Sequence, residues 1–473
     1  MNYELKPYEK YKSTDTSYMD MIPIDWDVIK LREVFQERKE KNINHKTENV
    51  LSVMKDIGVI PYSEKGNVGN KCSEDIERYK LVYPNDIVMN CMNVIIGSVG
   101  MSKYYGALSP VYYVLKNRND EMYDIRYFDY VFKLKSLQRE LTKYGKGILA
   151  HRMRIPMEML KNLLLPYPSS AEQEQIVIFL DSQLAKINKL IKAKKKIIVA
   201  LKEQKQAVIN EAVTKGINPD IKLKPSGIEW LEDIPEHWKV SRIKAVANIR
   251  YGLSQPPKEA VNGLPMIRAT NVDSGKIIEK DLIFIDKDDL PLGKKIYLKK
   301  DEIIIVRSGA YTADSAIIPE KYDGAIAGYD MVITVKSAIA AYISYVLLSK
   351  YVLNDQLFLV KMRAAQPHLN AEEVGNAIVV LPPIEEQKKV VRILDIKCKE
   401  IDMTKKSIQK EIDLITEYRT RLISDAVTGK IDVRGIKVSN DQIYEEEYEY
   451  GEDIDEIDEI IDEGEVNDGS DEY

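Results

Sequence analysis

Ile22-Pro23-Ile24-Asp25-Trp26-Asp27-Val28 returns 212 residues later as Ile234-Pro235-Glu236-His237-Trp238-Lys239-Val240. A second stretch, from Glu172-Gln173 through Leu180-Asp181, returns 214 residues later from Glu386-Gln387 through Leu394-Asp395. The same offset relates Glu211-Ala212-Val213-Thr214 to Asp425-Ala426-Val427-Thr428. Chance explains one such match but not three in order at nearly one offset. The chain is therefore two copies of one unit, each a region of about 150 residues followed by a helix.

Both helices carry a heptad seam. In the first, Leu180, Leu184, Ile187, Ile191, Ile198 and Leu201 step by threes and fours; in the second, Leu394, Ile401, Ile408, Ile412, Ile415 and Leu422 keep the same frame. Lys194, Lys205, Lys405 and Arg419 interrupt the seams, either setting register or extending their charges past the edge. Ser169-x-x-Glu172 reads as a capping box, and Gly216 followed by Pro219 as a stop. Each helix should run about 45 residues, roughly 65 Å at 1.5 Å per residue. Because the first helix delivers the chain to the second globular region, mutual pairing along the seams has to be antiparallel. The expected fold is mixed α+β, with two α/β regions joined by two long antiparallel helices in a pseudo-twofold repeat. Its parts are a first region at 1–168, a helix at 169–216, a second region at 217–381, a helix at 382–430 and a tail at 431–473. The other reading of the seams is two unrelated coiled coils, each binding a different protein.

The net charge of −6 conceals two opposite objects. Residues 441–473 hold 17 Asp and Glu and no Lys or Arg, which leaves 58 acids against 69 bases in residues 1–440, a net of +11. A basic body suits a polyanionic partner, although charge alone gives weak, salt-sensitive and sequence-blind binding. The acidic tail reads as disordered, or more sharply as a DNA mimic covering a basic groove. Cys72, Cys91 and Cys398 are isolated, which points to a reducing cytoplasm with no disulfide framework or zinc site. The first residues lack an apolar signal-peptide core, and no run is long enough to span a membrane.

Outside the repeated boundaries the two globular regions share little sequence. Strand candidates at Asp86–Met89 and Glu302–Val306 each follow a turn. Around them lie residue types suited to base edges and phosphates. In the first region these are Lys65, Asn67, Asn90, Asn93, Lys146, Arg152 and Arg154. In the second they are Arg250, Tyr251, Arg268, Asn271, Arg307, Ser308, Tyr311, Arg363, Gln366, His368 and Asn370. There is no Asn/Asp-Pro-Pro-aromatic motif for amino methylation, no GxGxxG and no GxxxxGK[ST] loop. The four histidines never fall at metal-ligand spacing, so no catalytic or metal site is expected.

The stretch Ser226-Gly227-Ile228-Glu229-Trp230-Leu231-Glu232-Asp233 through Trp238, with Pro382-Pro383-Ile384-Glu385-Glu386-Gln387, resembles the specificity subunits of Type I restriction–modification systems. The first copy departs from that pattern, with Ser17-Tyr18-Met19-Asp20 at its opening and Tyr167 inside the Pro166–Pro168 pair. The resemblance extends over nearly all of residues 1–440. It implies two target-recognition domains, each reading half of an asymmetric bipartite sequence in double-stranded DNA, with the helices as a ruler between them. It implies a non-catalytic chain without its own cofactor, working in a bacterial or archaeal cytoplasm. Its partners would be two adenine-methyltransferase subunits and two motor–nuclease restriction subunits, which would carry S-adenosylmethionine, ATP and Mg. Two alternatives stand beside this: a coiled-coil scaffold that never touches DNA, and a specificity component of another methylation-based defence system.

Overall fold

The computed structural model describes residues 5–438 apart from 56, 67–71, 74, 93, 146–153, 256, 292–295 and 360–367. The acidic stretch 441–473 lies outside the described residues. Among the described residues two compact units form: one joins those up to Ala193 with those from Glu411, and the other is Lys194–Lys410. The division passes through both long helices, Ser170–Thr214 and Ile384–Val427. Each unit therefore holds a globular head and one half of each helix.

In the first unit Leu180 and Leu184 share a buried cluster with Leu422, Ala426 and Val427. In the second unit Ile209, Ala212 and Val213 share one with Val390, Leu394 and Cys398. The start of one helix meets the end of the other in both units, so the pair is antiparallel. Leu180, Leu184, Ile198, Leu394, Ile412 and Leu422 are buried, while Ile187, Ile191, Leu201, Ile401, Ile408 and Ile415 are half-buried. The four seam cations, Lys194, Lys205, Lys405 and Arg419, are half-buried too. Lys205 Nζ reaches Asp402 on the opposite helix at 2.8 Å. Burial and the neighbouring Lys202 push the Lys405 ammonium down.

Each head is built on a four-stranded antiparallel sheet. In bonded order it runs Phe35–Glu37, Tyr112–Asn117, Ile87–Asn90, Val99–Met101 in the first head. In the second it runs Ala247–Tyr251, Met331–Val335, Ile303–Ile305, Ser315–Ile317. The order is the same, and so is the register. Ile87 faces Leu115 and Met101, as Ile303 faces Ile333 and Ile317. Side chains alternate between the faces of each sheet. Ile303 and Ile305 enter one cluster and Ile304 another; Ile87 and Met89 divide from Val88 in the same way. Both faces are covered, which is why these strands read as continuous apolar runs.

The repeated boundary residues lock head to helix. Gln173 donates to the Pro168 carbonyl at 2.9 Å and accepts from Asp124 N at 2.9 Å. Gln387 makes the same pair of bonds, to Pro382 at 2.9 Å and from Ile339 N at 2.8 Å. Ser169 Oγ accepts from Glu172 N at 3.3 Å, but the Glu172 carboxylate takes the Tyr8 hydroxyl, so only half of the expected capping box forms. Tyr127 donates to the carbonyl of Val427 and Tyr342 to that of Val213, so each head grips the last turn of the other repeat's helix. Past those ends Gly429 and Gly216 take left-handed conformations, at φ of 72° and 81°. Each lies against a fully buried tryptophan, Trp26 or Trp238, where a β-carbon would be crowded.

Candidate nucleic-acid interface

The second head's sheet gathers three chain segments at one end. Tyr251 pairs with Met331 and Met331 with Ile305, so the residues after Tyr251, before Met331 and after Ile305 converge. There the Arg307 guanidinium carbon sits 4.9 Å from the Tyr251 ring centre and 4.3 Å from that of Tyr329. Arg307 Nη2 lies 3.1 Å from His368 Nε2, and the backbones of Ser308 and His368 form a bridge. Leu369 N donates to the Arg307 carbonyl at 2.8 Å, and Arg307 N to Asp330 Oδ1 at 3.2 Å. The Tyr251 hydroxyl accepts from Ala371 N at 2.9 Å, which pins that ring. Both rings remain open to solvent, at 45% and 48% exposed. Burial raises the Asp330 carboxyl to about 6, against the pull of Arg307.

An arginine packed against two rings has its planar donors held in place, the form in which a guanidinium forks onto a guanine edge. Tyr251, Arg307, Ser308 and His368 are thus brought together. Tyr329 escaped the sequence reading, since a Gly328-Tyr329-Asp330 turn shows its partner only once the sheet register is known.

The register places four counterparts in the first head. Ile155 N donates to the Cys91 carbonyl at 3.1 Å, as Leu369 N does to that of Arg307. Cys91 therefore stands where Arg307 stands, and Arg154 where His368 stands. Counting along the paired strands puts Lys39 opposite Tyr251 and Val111 opposite Tyr329. Burial pushes the Cys91 thiol up, while the adjacent Arg154 pulls it back. Tyr113, raised by burial, donates its hydroxyl to the Ile155 carbonyl at 3.0 Å beside the same Arg154.

Other sequence candidates occupy different places. Arg250 forks onto Glu302 at 2.6 and 2.7 Å and also donates to Thr334 and the Tyr297 carbonyl. Asn271 is fully buried, its amide bound to the backbone of Arg268, Ile278 and Lys280, so it shapes a loop. Arg268 donates to the Asp281 carbonyl. Asn370 caps the helix Ala371–Asn376. Tyr311 packs on a core cluster, Lys65 lies over the Tyr62 ring, and Asn90 accepts from Met92 N. Asn67, Asn93, Lys146, Arg152, Arg363 and Gln366 lie outside the described residues. Among the described residues no group of His, Cys, Asp or Glu is placed to hold a metal, and no helix is long and apolar enough to cross a membrane.

A duplicated α/β head on a paired-helix spacer, with an arginine–aromatic cradle at the sheet end of the second copy, defines a modular protein of two matched units. The model for the Type I restriction modification DNA specificity domain matches residues 23–200 and 235–414, and the chain belongs to this family. It is 25% identical over 430 residues to the Type I restriction enzyme MjaVIII specificity subunit of Methanocaldococcus jannaschii, covering 88% of this chain and 95% of that one. To the EcoBI specificity subunit of Escherichia coli it is 24% identical over 381 residues, 78% of each. A solved chain from work on assembly and conformational transition of the type I R-M system shares the fold. Its TM-score is 0.64 at 14% identity, over 86% of this chain and 98% of that one.

Proposed function

We propose that this chain reads an asymmetric, two-part sequence in double-stranded DNA, one half per head, with the antiparallel helices setting the unspecified gap. It performs no chemistry itself. It docks two adenine-methyltransferase subunits and two motor–nuclease restriction subunits, which bring S-adenosylmethionine, ATP and Mg. The observation that carries this reading is the cradle: one backbone arrangement occurs twice and is lined by different side chains. Two copies of a frame suit the local dyad of duplex DNA, and unlike linings make the target non-palindromic. The net +11 of residues 1–440 supplies the sequence-blind attraction to phosphates.

Co-expression with the methyltransferase subunit of its system, followed by modification-sensitive sequencing of host DNA, tests the reading. The expected result is methylated adenine in one asymmetric bipartite motif, absent without this chain. Unmodified DNA in the presence of a methyltransferase proven active with another specificity subunit overturns it in favour of the scaffold.

A further inference from the structure

The two cradles share a backbone and exchange their chemistry. At the strand-end position the first head has Cys91 and the second Arg307; across from it the first has Arg154 and the second His368. Each cradle thus holds one arginine, supplied from opposite walls, with the smaller group facing it. The heads differ also in what holds that arginine. Tyr251 and Tyr329 both pack against Arg307, whereas the matching positions carry Lys39 and Val111, neither of which offers a ring.

We infer that these four matched pairs of positions choose the bases read by each head, with Arg307 forking onto a guanine edge in one half-site and Arg154 doing so in the other. This rests on the reading proposed above. Three observations carry it. The other strand-edge arginines are committed to the fold: Arg38 and Arg250 fork onto the buried carboxylates Asp86 and Glu302, and Arg118 donates to the Arg32 and Phe35 carbonyls. The Arg307 guanidinium, by contrast, makes its one side-chain hydrogen bond among the described residues to the exposed His368, and no carboxylate or backbone carbonyl takes it. Finally, these side chains vary while the backbone bond beneath them, Ile155 to Cys91 and Leu369 to Arg307, repeats within 0.3 Å. A frame that stays while its lining changes is the arrangement a sequence reader requires. Packing against the two rings also removes conformational freedom before binding, so the second head should discriminate more sharply than the first.

The test uses the full chain in complex with its methyltransferase subunits, once sequencing has given the target. Affinity is read by fluorescence anisotropy on duplexes carrying single base-pair changes through both halves, for wild type, Arg307→Lys, Arg307→Ala and Arg154→Lys. Arg307→Lys keeps the charge and loses the fork. It should lose about 10-fold or more of its discrimination at one G·C pair in one half, leaving the profile of the other half unchanged. Arg154→Lys should act at one pair in the other half, by a smaller factor. Uniform weakening with an unchanged profile would make these arginines phosphate contacts and overturn the assignment. So would Arg307→Ala losing all binding while Arg307→Lys kept the wild-type profile. If the wild-type complex shows no bipartite preference, the proposed function itself fails, and this assignment with it.

Discussion

Within each head, two kinds of position have fared differently since the duplication. Arg38 forks onto Asp86 at 2.8 and 3.0 Å, and Arg250 onto Glu302 at 2.6 and 2.7 Å. Below them Tyr83 N donates to Asp86 and Lys299 N to Glu302, both at 2.9 Å, after left-handed turns at Asn85 and Asp301 with φ of 68° and 66°. Here aspartate has exchanged for glutamate and the turn sequences differ, yet the geometry is the same. At the cradle the backbone is the same and the chemistry is not. The brace maintains the shape of the sheet end, and the cradle uses that shape to present different donors.

Breaking the brace is the most severe test of this division. Glu302 is buried, and removing Arg250 leaves its carboxylate without a charge partner, a loss of about 3–5 kcal/mol. Arg250→Ala should therefore abolish hydrogen-exchange protection across the second head's sheet, and Arg38→Ala should do the same in the first. Replacing both partners together, as in Arg250→Met with Glu302→Leu, should recover most of the loss, since the buried charge goes with the pair. If Arg250→Ala changed base discrimination while leaving protection intact, brace and cradle would not be separate devices.

The brace also shows where sequence reading ends. The repeat, both helices and their seams were legible because buried apolar positions recur at fixed spacing and the boundary motifs kept their residues. Arg250 was legible as a residue type but not in its role, because its carboxylate partner stands 52 positions away and only strand pairing brings them together. Asn271 failed similarly: the base-reading amide of an exposed loop and the loop-closing amide of a buried one have the same letter. The matching of Cys91 to Arg307 was hidden by unequal insertions, since the offset between repeats is 212 at the first strand, 216 at the second and 218 at the fourth. Shared sheet order restores an equivalence that aligned letters do not contain.

Acid should separate the heads with a smaller effect. Burial raises the Asp314 and Asp330 carboxyls of the second head to about 6, from 3.8. Their native forms bind protons more readily than the unfolded chain does, so their stabilising contribution is complete below about pH 4 and is lost as pH rises through 6. Each is worth on the order of 3 kcal/mol. In the first unit Glu140 and Asp432 move the other way. Burial opposes the shift in Glu140 but Lys143 and Ser17 overcome it, and the Arg434 hydrogen bond lowers Asp432. Their contribution is present above the ordinary carboxylate range and falls away only below it. Hydrogen exchange taken at pH 7 and pH 5 should show the second head gaining protection, and Asp314→Asn with Asp330→Asn should flatten that gain. Equal gains in wild type and double variant would assign it to other groups.

The helix pair offers the finest comparison, because a charge pair across its seam is present in one unit and not in the other. Lys205 meets Asp402 across the seam at 2.8 Å, and Asp402 also takes Lys276 from the second head. Moving each by the 214-residue repeat puts Arg419 and Asn188 in the matching places of the first unit. The cation has been kept and the carboxylate has not, and the Arg419 Nε has no hydrogen-bond partner among the described residues. Asn188→Asp changes one amide to a carboxylate of nearly the same size, so packing is undisturbed and only the charge is new. It should stabilise the first unit by about 0.5–1 kcal/mol, the range of a partly exposed ion pair, and the gain should shrink as salt is added. The same substitution combined with Arg419→Met should give no gain, which isolates the pair from any general effect of the new charge. A gain that persisted without Arg419 would assign it to the new charge alone, and the seam cation of the first unit would need no carboxylate across from it.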